Sequence, residues 1–241
     1  MDDVTPVVAA LQKSGFPLQT RVEHEIQART NAGWGLVASE HPWRDPDGRD
    51  QFIDLIASCG RLVIVVECKK AQERALLFLR PLGRETTGLV RTVVLWDLAY
   101  SASGTLRDDV GLDPESYRAQ FCVSTASGQR LLEQDARSVV LASDAVVEQY
   151  PRSLLPDRAF VVPAIVTTAP LYTLRFKPNE VSLDSGVFSN LDPREIMPIH
   201  WVRFHKAFTA DSRARPRTVL VVNSGALPTF LDEVSRGPDI R

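Results

Sequence analysis

Three charged residues sit where a sequence rarely tolerates them. The stretch "FIDLIASCGRLVIVVECKK", Phe52 to Lys70, is largely apolar and β-branched, yet it carries Asp54 in one run and Glu67 with Lys69 at the end of the next. A charge inside a buried strand is costly unless something pairs with it. "SCGR", with Gly60, has the length and composition of a hairpin loop. In the simplest register Ala57 lies opposite Leu62, and Asp54 then lies opposite Val65. Side chains alternate along a strand and cross-strand partners share a face, so Asp54, Glu67 and Lys69 converge on one side. A slip of one residue would undo that convergence.

Two close carboxylates raise one another's pKa unless a cation lies between them. A hard divalent cation such as Mg²⁺ suits that place, because it takes oxygen ligands from one or two carboxylates and completes its shell with water and phosphate. Asp54 and Glu67 are the expected ligands, with the backbone carbonyl of Cys68 as a third. Such an ion lowers the pKa of bound water and neutralises a phosphodiester. Lys69 is suited to orient the water or to stabilise charge on the phosphoryl group.

The elements that must hold these residues are legible around them. "TPVVAALQKSG" reads as a short helix with Thr5 as cap, Pro6 at its start and Gly15 as its stop. Leu18, Val22 and Ile26 recur at helical spacing in the next segment, which Gly33 ends. "HPWRDPDGRD" is a polar turn. After the hairpin, "ALLFLRP" and "RTVVLWDLA" read as strands, and much of Thr86 to Ser127 reads as loop. "SGQRLLEQDARSVVLASDAVVEQYP" is the clearest long helix, ending at Pro151. "AFVVPAIVTTAPLYTLRF" and "IMPIHWVRFHKAF" are strand-rich, with Pro163 marking an edge, bulge or bend. "RTVLVVNSGALPTFLDEVSR" reads as strand, turn and helix. The expected architecture is α/β, bordering on α+β: a central mixed sheet flanked by helices. No linker separates two domains, so residues 1–241 are read as a single one.

This order of elements resembles the PD-(D/E)XK, or restriction-endonuclease-like, nucleases. The likeness rests on a helix followed by Asp54, a hairpin, and Glu67-Cys68-Lys69, which corresponds to the D…(D/E)xK signature. It covers about residues 15–100, and the C-terminal half would add strands and a long helix. The proline that usually precedes the Asp is absent, since Ile53 stands there. The resemblance implies a Mg²⁺-dependent DNA endonuclease, with Mn²⁺ as a substitute metal. It also implies an acidic residue from the first helix, some positions before Gly33-Trp34. Glu23 is the best placed, with Gln19 on the same helical face and Glu25 as runner-up. Lys70 and Arg74 follow the trio directly and are expected to contact nucleic acid. Members that cut both strands commonly dimerise, which makes a homodimer an expectation. A binding module that keeps the fold without cutting is the alternative.

Composition limits the remaining classes. The chain has 241 residues, 44% hydrophobic and 24% charged, with a formal net charge of -2. It is therefore no basic nucleic-acid coat, although a local basic cleft is compatible with that balance. Arg203, Lys206, Arg213, Arg215 and Arg217, interleaved with Trp201, Phe204 and Phe208, fit either a phosphate-tracking edge or, more plainly, a solvated loop. Cys59, Cys68 and Cys122 form no metal spacing and read as reduced thiols. Four histidines show no HExxH pattern, and no P-loop, GxGxxG or GxSxG occurs. No run reaches membrane-span length, and no signal peptide is recognisable, so a cytoplasmic protein without a membrane partner is expected.

Overall fold

The computed structural model describes residues 4–71, 74–83, 88–98, 104–125, 131–150, 154–156, 158–208 and 215–240. Two helices come first, α1 (Thr5–Lys13) and α2 (Phe16–Gln27). Gly33, at φ 86°, turns the chain into β1 (Trp34–Arg44) after a short 3₁₀ turn. β2 (Asp50–Cys59), β3 (Leu62–Lys69), β4 (Leu76–Pro81), β5 (Val90–Asp97), β6 (Thr105–Ser116), β7 (Arg118–Ala119) and β8 (Phe121–Ser124) follow. Then come α3 (Leu131–Gln149), β9 (Phe160–Thr167), β10 (Leu171–Phe176), β11 (Ile196–Ile199), β12 (Trp201–Lys206), β13 (Arg217–Asn223), α4 (Leu227–Val234) and β14 (Asp239–Ile240). Mixed sheets flanked by helices agree with the expected class. The described part of Thr86 to Ser127 is mostly strand rather than loop. Thr86 itself and Pro151 lie outside the described residues.

The larger sheet runs β1-β2-β3-β9-β13-β12-β7, with β5, β6 and β14 branching from it. β3 is antiparallel to β2 and parallel to β9 along its whole length. β4, the next strand in sequence, does not pair with the hairpin. Instead β4 leaves for a second sheet, ordered β11-β10-β4-β8. The centre of the main sheet thus comes from β9 and β13, far along the chain. Their side chains explain this: all eight residues of β9 are buried, as expected for a strand covered on both faces.

Pro163 sits inside β9, at neither an edge nor an end. On one side β9 pairs with β3 throughout. On the other, β5 partners Phe160 and Val161, and β13 takes over from Ala164. Pro163 falls in the gap between those two partners, where a missing N–H costs no ladder bond.

Two apolar layers cover the sheet. α3 packs one face with Leu132, Ala136, Val139 and Val140 against Val63, Val65 and Ile165. α2 and α4 pack the other with Leu18, Val22, Ile26, Phe230 and Leu231 against Leu62, Ile64 and Val66. Trp34, 1% exposed, donates its indole N–H to Leu231 O at 3.2 Å and ties α4 to β1. Among the described residues no helix is long and apolar enough to cross a membrane.

The basic stretch near the C-terminus is neither a phosphate-tracking edge nor simply a solvated loop. Arg203 is 1% exposed and donates to the carbonyls of Leu112 and Pro114. Arg217 is buried and paired with Asp144, Lys206 is paired with Glu133, and Phe204 is in the core. Arg80 is likewise buried, with its guanidinium 3.7 Å from the Tyr117 ring centroid, and Arg91 pairs with Asp113. Of the residues weighed for that edge, Arg215 is exposed, and Arg213 lies outside the described residues.

Candidate active site at the end of the β2–β3 hairpin

The hairpin is tighter than its simplest reading. Cys59 pairs with Leu62 and Ala57 with Ile64, leaving a two-residue turn of Gly60 and Arg61. Gly60 takes φ 55° in the first turn position, a conformation glycine adopts without penalty and one that suits the twist of the flanking strands. The register therefore differs by two residues from the expected one. Because the side-chain period is two, an even shift preserves every face. Carrying the pairing one step beyond Leu55–Val66 sets Asp54 across from Glu67.

The Asp54 carboxylate bends onto the neighbouring strand and accepts from the Cys68 backbone N–H at 2.6 Å. Glu67 reaches Lys69 Nζ at 2.5 Å, and Lys69 Nζ lies 3.5 Å from Asp135 Oδ1 on α3. Asp54, Glu67 and Lys69 are thus brought together. Cys68 contributes through its backbone. Its thiol points into the opposite core layer, where burial and then the neighbouring carboxylates push its pKa up. The thiol is therefore held in its protonated form.

Burial drives the electrostatics. It raises the Glu67 pKa to about 7, with Asp54 adding to the rise and Lys69 opposing it. Asp54 is raised by burial too, against the pull of the Cys68 N–H and of Lys69. Burial works to lower Lys69, but Glu67, Asp135 and Asp54 outweigh it and hold the amine above its ordinary value. Lys69 is accordingly a charged donor at neutral pH, suited to orienting water or stabilising negative charge and not to accepting a proton.

Helix α2 meets this strand end through Gln19. Its amide donates to Glu40 Oε1 at 2.5 Å and to the Asp54 carbonyl at 3.3 Å. Glu23, one turn further along, accepts from Gln27 instead and makes no hydrogen bond or ion pair with the trio among the described residues. Glu25 is bound by Arg21 and Arg29 as a buried structural carboxylate. Lys70 and Arg74 line a cavity of about 210 Å³ together with Lys69 and Asp135.

Two acidic neighbours escaped the sequence reading. Glu40 lies in β1 between residues that pair with Ile53 and Leu55, and it holds φ 50°, a left-handed conformation unusual for a non-glycine. It also contributes to the raised Asp54 pKa. Asp135, raised by burial, arrives from α3, some 66 residues after Lys69 in sequence. Neither carries a local signal, because its proximity depends on strand register and helix docking.

The donor set suits a hard cation. Asp54 Oδ1 and Glu67 Oε2 have no hydrogen-bond partner among the described residues. Burial raises both carboxyl groups, and Asp54 adds to the rise at Glu67, so a bound cation would favour the ionised forms. Two carboxylates with the nearby Cys68 backbone match the sparse protein ligation of Mg²⁺, which leaves room for water and phosphate. No cluster of three or more His, Cys, Asp or Glu side chains at ligating distance occurs among the described residues. A fully protein-enclosed metal cage is not what this geometry offers.

No protein-family model matches the chain, and neither a curated protein nor a solved structure does.

Proposed function

We propose that the protein is a Mg²⁺-dependent nuclease that hydrolyses DNA phosphodiester bonds, built on a restriction-endonuclease-like core. The observation that carries this reading is the convergence of Asp54, Glu67 and Lys69 at one strand end, with the Glu67 pKa raised to about 7 by burial and by Asp54. An ion pair of purely structural use would have no reason to keep a second carboxylate beside it, since that carboxylate costs stability. Asp54 and Glu67 would hold the ion, with the Cys68 carbonyl available as a further ligand. When bound, Mg²⁺ neutralises the phosphate and lowers the pKa of its water.

The chain's own groups supply the rest. Lys69, positively charged and fixed by Glu67, donates to the attacking water or to a phosphoryl oxygen as charge develops there. Water attacks phosphorus as it gives up a proton to solvent, the bond to the leaving sugar oxygen breaks, that oxygen takes up a proton from solvent, and two shorter strands result. Gln19 braces the Asp54 backbone and Glu40, which keeps the carboxylate end of β2 in place. Lys70 and Arg74 supply phosphate contacts beside the reacting bond.

The test is cleavage of plasmid and linear DNA with Mg²⁺, comparing the wild type with Asp54→Ala and Lys69→Ala. Wild-type cutting that depends on Mg²⁺ or Mn²⁺ is expected, with a loss of at least a hundredfold in each variant. Equal rates in all three proteins would refute the assignment. DNA binding without cutting in any metal would point instead to the non-catalytic module.

A further inference from the structure

A cavity of about 210 Å³ adjoins the trio, and its walls are divided by chemistry. Lys69, Lys70 and Arg74 contribute cations to the lining, which also includes the Asp135 carboxylate 3.5 Å from Lys69 Nζ. Leu76, Leu132 and Ile165, each at most 8% exposed, form an apolar floor. A phosphate alone would satisfy the cations and leave that floor wet. An apolar cavity of about 150 Å³ holds a benzene ring, so this one has room for a nucleobase. It remains below the roughly 300–1,000 Å³ of sites for larger ligands. Lys69 belongs to both places: its amine contacts Glu67, and its side chain lines the cavity. An occupant therefore lies directly beside the reacting phosphate.

From this division we infer that the cavity receives one unpaired nucleobase next to the scissile phosphate, so that the substrate is single-stranded DNA or a frayed strand end; the inference rests on the nuclease reading above. A base stacked and paired in a duplex cannot enter a pocket without being unpaired and flipped out of the stack, whereas a single strand has its base faces open. Lys70 and Arg74 then hold the phosphate of the same nucleotide while Leu76, Leu132 and Ile165 cover the base.

The binding test needs neither metal nor turnover. Full-length protein in EDTA is titrated with thymidine 5′-monophosphate, thymidine and inorganic phosphate. The monophosphate should bind at least tenfold more tightly than either part alone. Ala71, on the cavity wall, is replaced by Phe to fill the space. Ala71→Phe should lower monophosphate affinity at least tenfold with an unchanged melting temperature. Arg74→Ala should weaken the monophosphate and spare thymidine, which keeps the test decisive should the filled variant not fold. With Mg²⁺, single strands should be cut at least tenfold faster than a blunt duplex. Monophosphate binding no tighter than phosphate, or duplex cut as fast as single strand, overturns the pocket while leaving the nuclease reading intact. Monophosphate binding with no cleavage in any metal overturns the nuclease reading and retains a nucleotide pocket.

Discussion

Glu67 is the residue whose surroundings say most about the site. Its ordinary pKa is 4.5, and in the folded protein it stands at about 7. Folding therefore takes up a proton between those values. The associated stability is complete below about pH 4.5 and is lost as pH rises to about 7, since the ionised form is the one that burial and Asp54 disfavour. Glu67→Gln should accordingly match the wild type near pH 4.5 and melt at a higher temperature at pH 8, both measured in EDTA. Added Mg²⁺ should raise the wild-type melting temperature at pH 8 and have far less effect on Glu67→Gln. Parallel melting curves from pH 5 to pH 8 would contradict the paired-carboxylate account. At this scale the residue types were readable in sequence. Asp54, Glu67 and Lys69 stood out because charges interrupt an apolar pattern. Glu40 and Asp135 did not, because an acidic residue in a polar or amphipathic segment is unremarkable until its neighbours are known.

Among the elements, the hairpin was legible because it is local. Gly60 between two apolar runs marks the turn, and the period-two rule makes the face assignment immune to the two-residue error in register. α2 was legible as a helix, but which of its polar residues meets the strands was not. Gln19, Glu23 and Glu25 are all polar, and docking angle alone brings Gln19 to Asp54 while Glu23 bonds along its own helix. The strand holding Arg203 shows the opposite failure. Its basic residues suggested contact with phosphate or with solvent, whereas the guanidinium is enclosed by the backbone carbonyls of Leu112, Pro114 and Arg91 and by the Ser116 hydroxyl. Burial and then the positive charge of Arg118 lower its pKa to about 10, so it remains protonated. Arg203→Met should cost about 3–5 kcal/mol in urea denaturation, because several buried acceptors lose their donor together. A change within about 0.5 kcal/mol would mean that the guanidinium does not hold β12 against β6.

Across the whole molecule, the sheet is closed by residues far apart in sequence. β3 carries two of the three site residues, and its inner partner is β9, some 98 residues later. β13 then joins β9, and α3 covers the face on which Lys69 meets Asp135. A fragment of residues 1–100 should therefore lack cooperative unfolding and dispersed amide resonances, although it contains the entire signature. A cooperative melt from that fragment would show that the hairpin and α2 fold without β9. The chain alone specified the local periodicities, the long helix, the apolar strands and the hairpin that aligns Asp54 with Glu67 and Lys69, because each depends on neighbours within a few residues. The branch at Pro163, the departure of β4 to a second sheet, the burial of Arg203 and the arrival of Asp135 and Glu40 beside the trio emerged only in the assembled fold. Each depends on which distant strand or helix packs against which face, and the one-dimensional pattern is the same for every topology that buries the same residues.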